Sequence, residues 1–296
     1  MRILERTSKY DAPLWIALGF FDCVHIGHRA LLDTAQTRAR SCGAHACAVT
    51  FSDNPYPLLR GGGKEIFTYA ERLRLLENAG MDCVLAMPFD RTFMQMPREA
   101  FLHMLTKQFA VRGFVCGHDY RFGADAAGTP EYLREFCEKN GIMCSIVPPV
   151  LQDGARISST RVRACLQGGD IIGAIRLLGH AYFIRGNVAH GRGVGKLFGF
   201  PTANLLCEEE KLLPARGVYA TVTDVDGARY TSVTNVGDKP TFGEKSESVE
   251  SMLVDFSGDL YGKTVTVEFV RRLRDIRRFS SPQELQAQIY KDAQWK

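Results

Sequence analysis

The sequence predicts an α/β chain in two parts, a doubly wound parallel sheet followed by a small antiparallel β-barrel with a helix packed against it. Three observations carry that expectation. Short apolar runs alternate with helical patterns as far as residue 180, the mark of parallel strands joined by helices. Beyond that point the composition shifts to β-branched runs separated by turns. An amphipathic stretch at 282–293 follows the last of these runs and reads as a helix. The domains are therefore placed at 1–180 and 181–296.

In order, the first part reads as strand 14–18, helix 30–40, strand 46–51, helix 69–79, strand 83–87, helix 98–109 and strand 114–116. Helix 98–109 follows Pro97, a good first-turn residue, and puts Phe101, Leu102, Leu105 and Phe109 on one side. Helix 130–140, stopped by Gly141, leads to strand 142–147, and helix 171–178 ends at Gly179. The second part reads as strands 183–189, 217–225, 229–236, 251–256 and 263–269, with Asp226-Gly227 a hairpin-type turn.

Composition narrows the function classes. With 296 residues and 45% hydrophobic content the chain can bury two cores, and it has no disorder signature. Its nine cysteines are odd in number and scattered, with no Cys-x-x-Cys. That favours reduced thiols in a cytoplasm over a disulfide framework or a zinc cluster. Residues 1–13 lack an apolar targeting core, and the run 14–21 is far short of the about 20 residues that span a bilayer, so a soluble, unexported protein with no membrane partner is expected. A net charge of +4 is too small to imply nucleic acid. The five arginines between Arg271 and Arg278 read mostly as a solvated face with one nucleotide contact.

Residues 19–28, Gly-Phe-Phe-Asp-Cys-Val-His-Ile-Gly-His, follow a strand and open a helix. The first turn of such a helix offers unpaired N–H groups and about half a positive charge. His25 and His28 share its inward face, and Gly27 lets a phosphate approach the backbone. Imidazoles and amides without a nucleophile suit the stabilisation of a nucleotide's phosphates, so this is read as an ATP site. The same residues are compatible with a structural turn bearing satisfied histidines, or with Asp22, His25 and His28 as metal ligands. Further along, Arg156-Ile-Ser-Ser-Thr-Arg161 places three hydroxyls between two arginines at a helix start. That makes either an ordinary N-cap or a second anion-binding helix end, suited to outer phosphates and to charge at the reacting phosphorus. His190 and Leu197 rule out a P-loop at Gly191–Lys196.

The segment 19–28 resembles the His-x-Gly-His nucleotidyltransferase signature, and the longer string resembles the adenylyltransferase half of the bacterial bifunctional riboflavin kinase/FAD synthetase family. The resemblance runs from about Leu14 to Asp292 through six or more motifs in family order. It implies a Rossmann-like nucleotidyltransferase domain, with Gly19, Phe20, Asp22, Gly27 and Asn54 at the nucleotide. Asp119, in Gly-His-Asp-Tyr-Arg-Phe-Gly, falls at the nucleotide and flavin pocket. Arg156, Ser159, Thr160 and Arg163 match the family's Ile-Ser-Ser-Thr-x-x-Arg motif, with Arg163, His25 and His28 in the catalytic set.

In the second part, residues 195–204 resemble the flavokinase pattern ending Gly-Phe-Pro-Thr-Ala-Asn. Gly191, Gly195, Lys196, Gly199 and Pro201 would wrap a phosphate chain, and Thr202 and Asn204, alternating along an extended segment, would give Mg²⁺ two oxygen ligands. Glu250 aligns with the family's glutamate and is the expected general base.

The implied reactions are phosphorylation of riboflavin to FMN, and transfer of AMP from ATP to FMN to give FAD and pyrophosphate. Mg²⁺ would serve as cofactor, with ATP, riboflavin, FMN and FAD as substrates or products. Partners would be small molecules alone, with no nucleic acid, and the state a monomer or weak homo-oligomer. Departures cluster in one half: Phe20 and Cys23 stand where the family has Asn and Gly, and Asn54 where it has His. Three readings therefore stay open: a bifunctional enzyme, a riboflavin kinase with a weakened adenylyltransferase half, and a non-catalytic flavin- and nucleotide-binding regulator.

Overall fold

The computed structural model describes residues 1–189, 202–240 and 245–295. They form two compact units, Met1–Ser159 and Thr160–Lys296. The helices at 159–178, which the sequence reading assigns to the first domain, thus fall almost wholly in the second unit.

The first unit holds strands β1 (Arg2–Leu4), β2 (Leu14–Leu18), β3 (His45–Phe51), β4 (Cys83–Met87), β5 (Val111–Gly117) and β6 (Met143–Val147). They build one six-stranded sheet in the order β1-β4-β3-β2-β5-β6, and every neighbouring pair is parallel. The chain winds outward from β2 in both directions, so the carboxyl ends of β2 and β5 flank a topological switch point, where such sheets bind ligands. Helices α1 (Ile26–Ser41), α2 (Tyr56–Arg60), α3 (Tyr69–Asn78), α4 (Arg91–Met94), α5 (Arg98–Gln108) and α6 (Pro130–Lys139) supply the connections. A two-stranded ribbon, β7 (Leu151–Gln152) with β8 (Ala155–Arg156), follows the sheet.

Local chemistry explains the helices. The apolar side expected at 98–109 is the buried side of α5: Phe101, Leu102, Leu105 and Phe109 join Phe114 and Cys116 of β5 in the core. Burying such side chains is worth about 1.5 to 3 kcal/mol each. Thr129 caps α6 by accepting from the Tyr132 N–H at 3.2 Å, and Pro130 occupies the first turn. The short edge strand β1 and the short helices α2 and α4 lack the periodicity that would reveal them, and none was expected.

The second unit carries α7 (Ser159–Gly168), α8 (Ile171–Leu178), strands β9 (Phe183–Ala189), β10 (Thr202–Leu206), β11 (Gly217–Val225), β12 (Ala228–Pro240), β13 (Lys245–Leu253) and β14 (Thr264–Arg274), and helix α9 (Pro282–Ala293). The strands close into an antiparallel barrel, β10-β13-β12-β11-β14-β9. Asp226 (φ 53°) and Gly227 (φ 87°) form the expected two-residue hairpin between β11 and β12, both in the left-handed region that such a turn requires. The strand expected at 251–256 instead occupies Lys245–Leu253, held in register with β12, and Asp255 at φ 57° turns the chain just beyond it.

One face of the barrel strands presents buried hydroxyls. Thr221 bonds Ser232 (2.8 Å) and Thr234 (2.7 Å), Thr223 bonds Ser232 (2.8 Å) and Ser251 (3.0 Å), and Thr234 donates to Ser251 (3.0 Å), closing a ring. On the opposite face Val218, Val233 and Met252 pack against Ile289 and Ala293 of α9.

Candidate functional site

In the first unit, β2 ends at Leu18 and the chain reverses into α1 through a turn in which Phe21 (φ 55°) and Val24 (φ 44°) both take the left-handed region. For a β-branched residue that conformation is strained, and such strain gathers at functional sites. The helix begins at Ile26, earlier than its apolar pattern suggests, because His25 caps it: its Nδ1 accepts the His28 N–H at 3.0 Å. Accepting at Nδ1 leaves the His25 proton on Nε2 when the ring is neutral. The two imidazoles stack with centroids 3.7 Å apart and planes 14° from parallel. Gly27 serves this stack, since a Cβ there would lie 3.1 Å from His25 Cε1. Burial, and then the neighbouring His25 charge, hold the His28 pKa well below its ordinary 6.5, so the ring is neutral at pH 7.

Both histidines line a cavity of about 360 Å³ at the carboxyl ends of β2, β5 and β6. Gly19, Phe20, Gly27, Asp119, Arg156 and Ser159 line it as well, so eight sequence-chosen residues converge on one volume. Asp119 and Arg156 form an ion pair across it. His118, Tyr120 and Arg121 also line it but were not singled out individually.

Four chosen residues, Asp22, Asn54, Thr160 and Arg163, are not among those lining it. The Asp22 carboxylate is buried and accepts from the Tyr56 hydroxyl (2.8 Å) and the Ile66 N–H (2.9 Å), which ties the turn to the α2 loop. Asn54 donates to the Gly63 carbonyl at 2.8 Å and accepts the Tyr56 N–H at 3.0 Å, shaping that same loop. Neither lines the cavity. Phe20 packs on Phe51 and Tyr56 and lies 4.6 Å from the Arg72 guanidinium. Arg72, fully buried, donates to Glu65 at 2.6 Å and to the carbonyls of Phe67 and Phe51. Thr160 and Arg163 lie on α7 in the second unit.

The second unit has its own cavity, of about 320 Å³, lined by Thr202, Asn235, Glu250, Arg274 and Asp292 among others. Register places Glu250 of β13 directly between Asn204 of β10 and Asn235 of β12, so the three side chains share one face of the sheet. Thr202, two residues from Asn204, is on that face too. Thr202, Asn204 and Glu250 are all half-buried. Arg274 forms a two-point ion pair with Asp292 of α9 (2.7 and 3.0 Å) at the cavity wall. Arg271 and Arg272 donate to the carbonyls of Trp295 and Arg216, and Arg277 donates to Gln288. Arg271, Arg277 and Arg278 are exposed, as a solvated face requires, whereas Arg272 and Arg274 are half-buried and tied into the unit by these bonds, and Arg274 and Arg277 reach the cavity. Gly191, Gly195, Lys196, Gly199 and Pro201 lie outside the described residues.

Comparisons with known proteins agree with this two-unit layout. The FAD synthetase family model matches residues 7–161, and the riboflavin kinase family model matches residues 178–296. The bifunctional riboflavin kinase/FMN adenylyltransferase of Bacillus subtilis is 34% identical over 295 residues, spanning 97% of this chain and 92% of that one. Its Escherichia coli (strain K12) counterpart is 34% identical over 281 residues, spanning 94% and 90%. The crystal structure of a Streptococcus pneumoniae protein described as a macrolide-efflux protein aligns over 100% of both chains, with 30% identity and a TM-score of 0.90. No helix among the described residues is long and apolar enough to cross a membrane.

Proposed function

The chain belongs to the bifunctional riboflavin kinase/FMN adenylyltransferase family, and on that premise we propose how its two cavities divide the work. The protein phosphorylates riboflavin to FMN and adenylylates FMN to FAD. The observation that carries the assignment is the pair of separate cavities, one holding the stacked His25 and His28, the other holding Thr202 and Glu250.

In the barrel unit Glu250 accepts the proton of the riboflavin hydroxyl as that oxygen bonds to the γ-phosphorus of ATP. Asn204 and Asn235 stand opposite it on the two adjoining strands. The oxygen donors of Thr202 and Asn204 on one sheet face are a hard pair that suits Mg²⁺. Bound there, Mg²⁺ would neutralise charge on the phosphates. In the first unit the FMN phosphate is already an anionic nucleophile and attacks the α-phosphorus of ATP, with pyrophosphate leaving. The protein's share is alignment and charge stabilisation by His25, His28, Arg156, Ser159 and the first-turn amides of α1. A neutral His28 becomes a better partner for phosphate by taking up a proton as the anion approaches. The substrates are small molecules, and the working state is a cytoplasmic monomer or weak homo-oligomer.

Incubation with riboflavin, ATP and Mg²⁺, with flavins separated over time, tests the assignment. FMN should rise first and FAD follow, with pyrophosphate released in step with FAD. FMN without FAD would leave a kinase alone, and neither product would leave a binding protein.

A further inference from the structure

Cys23 is fully buried two residues before His25, and its thiol sulfur lies 3.5 Å from the Ser159 hydroxyl. One ligand atom from each of Cys23, His25 and His28 falls within 4.8 Å of the other two. We propose that these three residues bind one zinc-class divalent cation, with a fourth coordination position open to the cavity. Three features support this. The His28 Nδ1 is buried and makes no hydrogen bond. The His25 Nδ1 is occupied by the His28 N–H, which directs coordination to Nε2. A thiolate and two imidazoles form a borderline-soft donor set that selects zinc over the oxygen-seeking Mg²⁺.

Zinc bonds of about 2.0 to 2.3 Å put tetrahedral ligand atoms roughly 3.3 to 3.8 Å apart, so the set closes by roughly 1 Å on binding. Because near-parallel rings point their lone pairs side by side, one imidazole also turns about its Cβ–Cγ bond. The Ser159 hydroxyl can donate to the thiolate and so steady it. Cys23 stands where the resembling motif has Gly, which makes the site a property of this chain. A cation held here withdraws both imidazoles from phosphate and blocks FAD formation. That consequence rests on assigning adenylyl transfer to this cavity, whereas the binding itself does not.

The test uses the reduced, metal-free full chain without nucleotide or flavin. Equilibrium dialysis against zinc should show one tight equivalent, and Co²⁺ in its place should give a thiolate-to-metal charge-transfer band. Both should be lost in Cys23→Ala and Cys23→Ser. The affinity should fall by more than about 100-fold, since even outer-sphere partners are worth about 10- to 100-fold. FMN formation by the same preparations checks folding. Unchanged zinc affinity in both variants, or cobalt bound without a thiolate band, would overturn the proposal. Zinc should also inhibit FAD formation from FMN in the wild type and not in Cys23→Ala; equal inhibition of both would count against it. Stoichiometric binding through Cys23 with no effect on FAD formation would retain the metal site and refute the assignment of adenylyl transfer to this cavity.

Discussion

Replacing Glu250 by Gln isolates one function of that side chain. The amide keeps the volume and the position opposite Asn204 and Asn235 on the two adjoining strands. What it loses is the capacity to take a proton. A positioned general base contributes about 10² to 10⁴ in rate, which is about 2.7 to 5.4 kcal/mol at 1.36 kcal/mol per decade. Because position 250 is half-buried on a paired strand and the shape is conserved, the barrel should stay folded. The assay is the initial rate of FMN formation from riboflavin, with FAD formation from supplied FMN measured on the same preparation. FMN formation should fall at least about 100-fold while FAD formation holds, since the histidine cavity lies in the other unit. A loss of less than about tenfold would show that Glu250 is not the base. An equal loss of both activities would refute the separation of the two sites.

Three further outcomes follow from the first unit. His28→Ala should lower FAD formation from FMN by about 10² to 10³, the usual cost of one preorganised donor, with FMN formation intact; near-normal FAD formation would mean the phosphates lie elsewhere. His28 also predicts a pH dependence: its native pKa is held below 6.5, so below pH 6.5 the unfolded chain binds a proton that the native chain does not. Stability present above pH 6.5 is therefore lost on acidification, and urea midpoints on either side of that value should differ more in the wild type than in His28→Ala. Arg72→Met should destabilise the first unit by about 3 to 5 kcal/mol, because it removes the buried arginine that pairs with the buried Glu65 carboxylate. A shift under about 1 kcal/mol in urea unfolding would show that Glu65 finds another partner or a proton.

Local chemistry was legible in the sequence wherever the decisive contact is also local. The apolar side of α5, the Asp226-Gly227 turn and the pairing of His25 with His28 each depend on residues within about one or two helical turns, where periodicity and turn chemistry speak directly. Distant contacts were not legible. Asp22 looks like a site acid within its motif, yet Tyr56 and Ile66 claim its oxygens from 34 and 44 residues away. Arg272 and Arg274 are half-buried within an otherwise exposed arginine run because the groups that engage them, Arg216 and Asp292, come from the approach to β11 and from α9. The start of β13 at Lys245 was hidden for the same reason: its polar first half is fixed by pairing with β12, not by its own apolar pattern.

The ring of Thr221, Ser232, Thr223, Ser251 and Thr234 has a consequence for how the barrel can change. Five hydroxyls and five bonds mean that each oxygen donates once and accepts once, so the protons circulate in a single sense, set by Thr234 donating to Ser251. Head-to-tail dipoles around a closed loop largely cancel, leaving a polar interior that projects little field toward the Glu250 face. Reversing the circulation would need all five hydroxyls to rotate together, and cooperative polarisation opposes any one turning alone. A Thr→Val change at one position opens the loop and strands a donor at one end and an acceptor at the other. Substitutions within this ring should therefore be tolerated as matched sets more readily than singly.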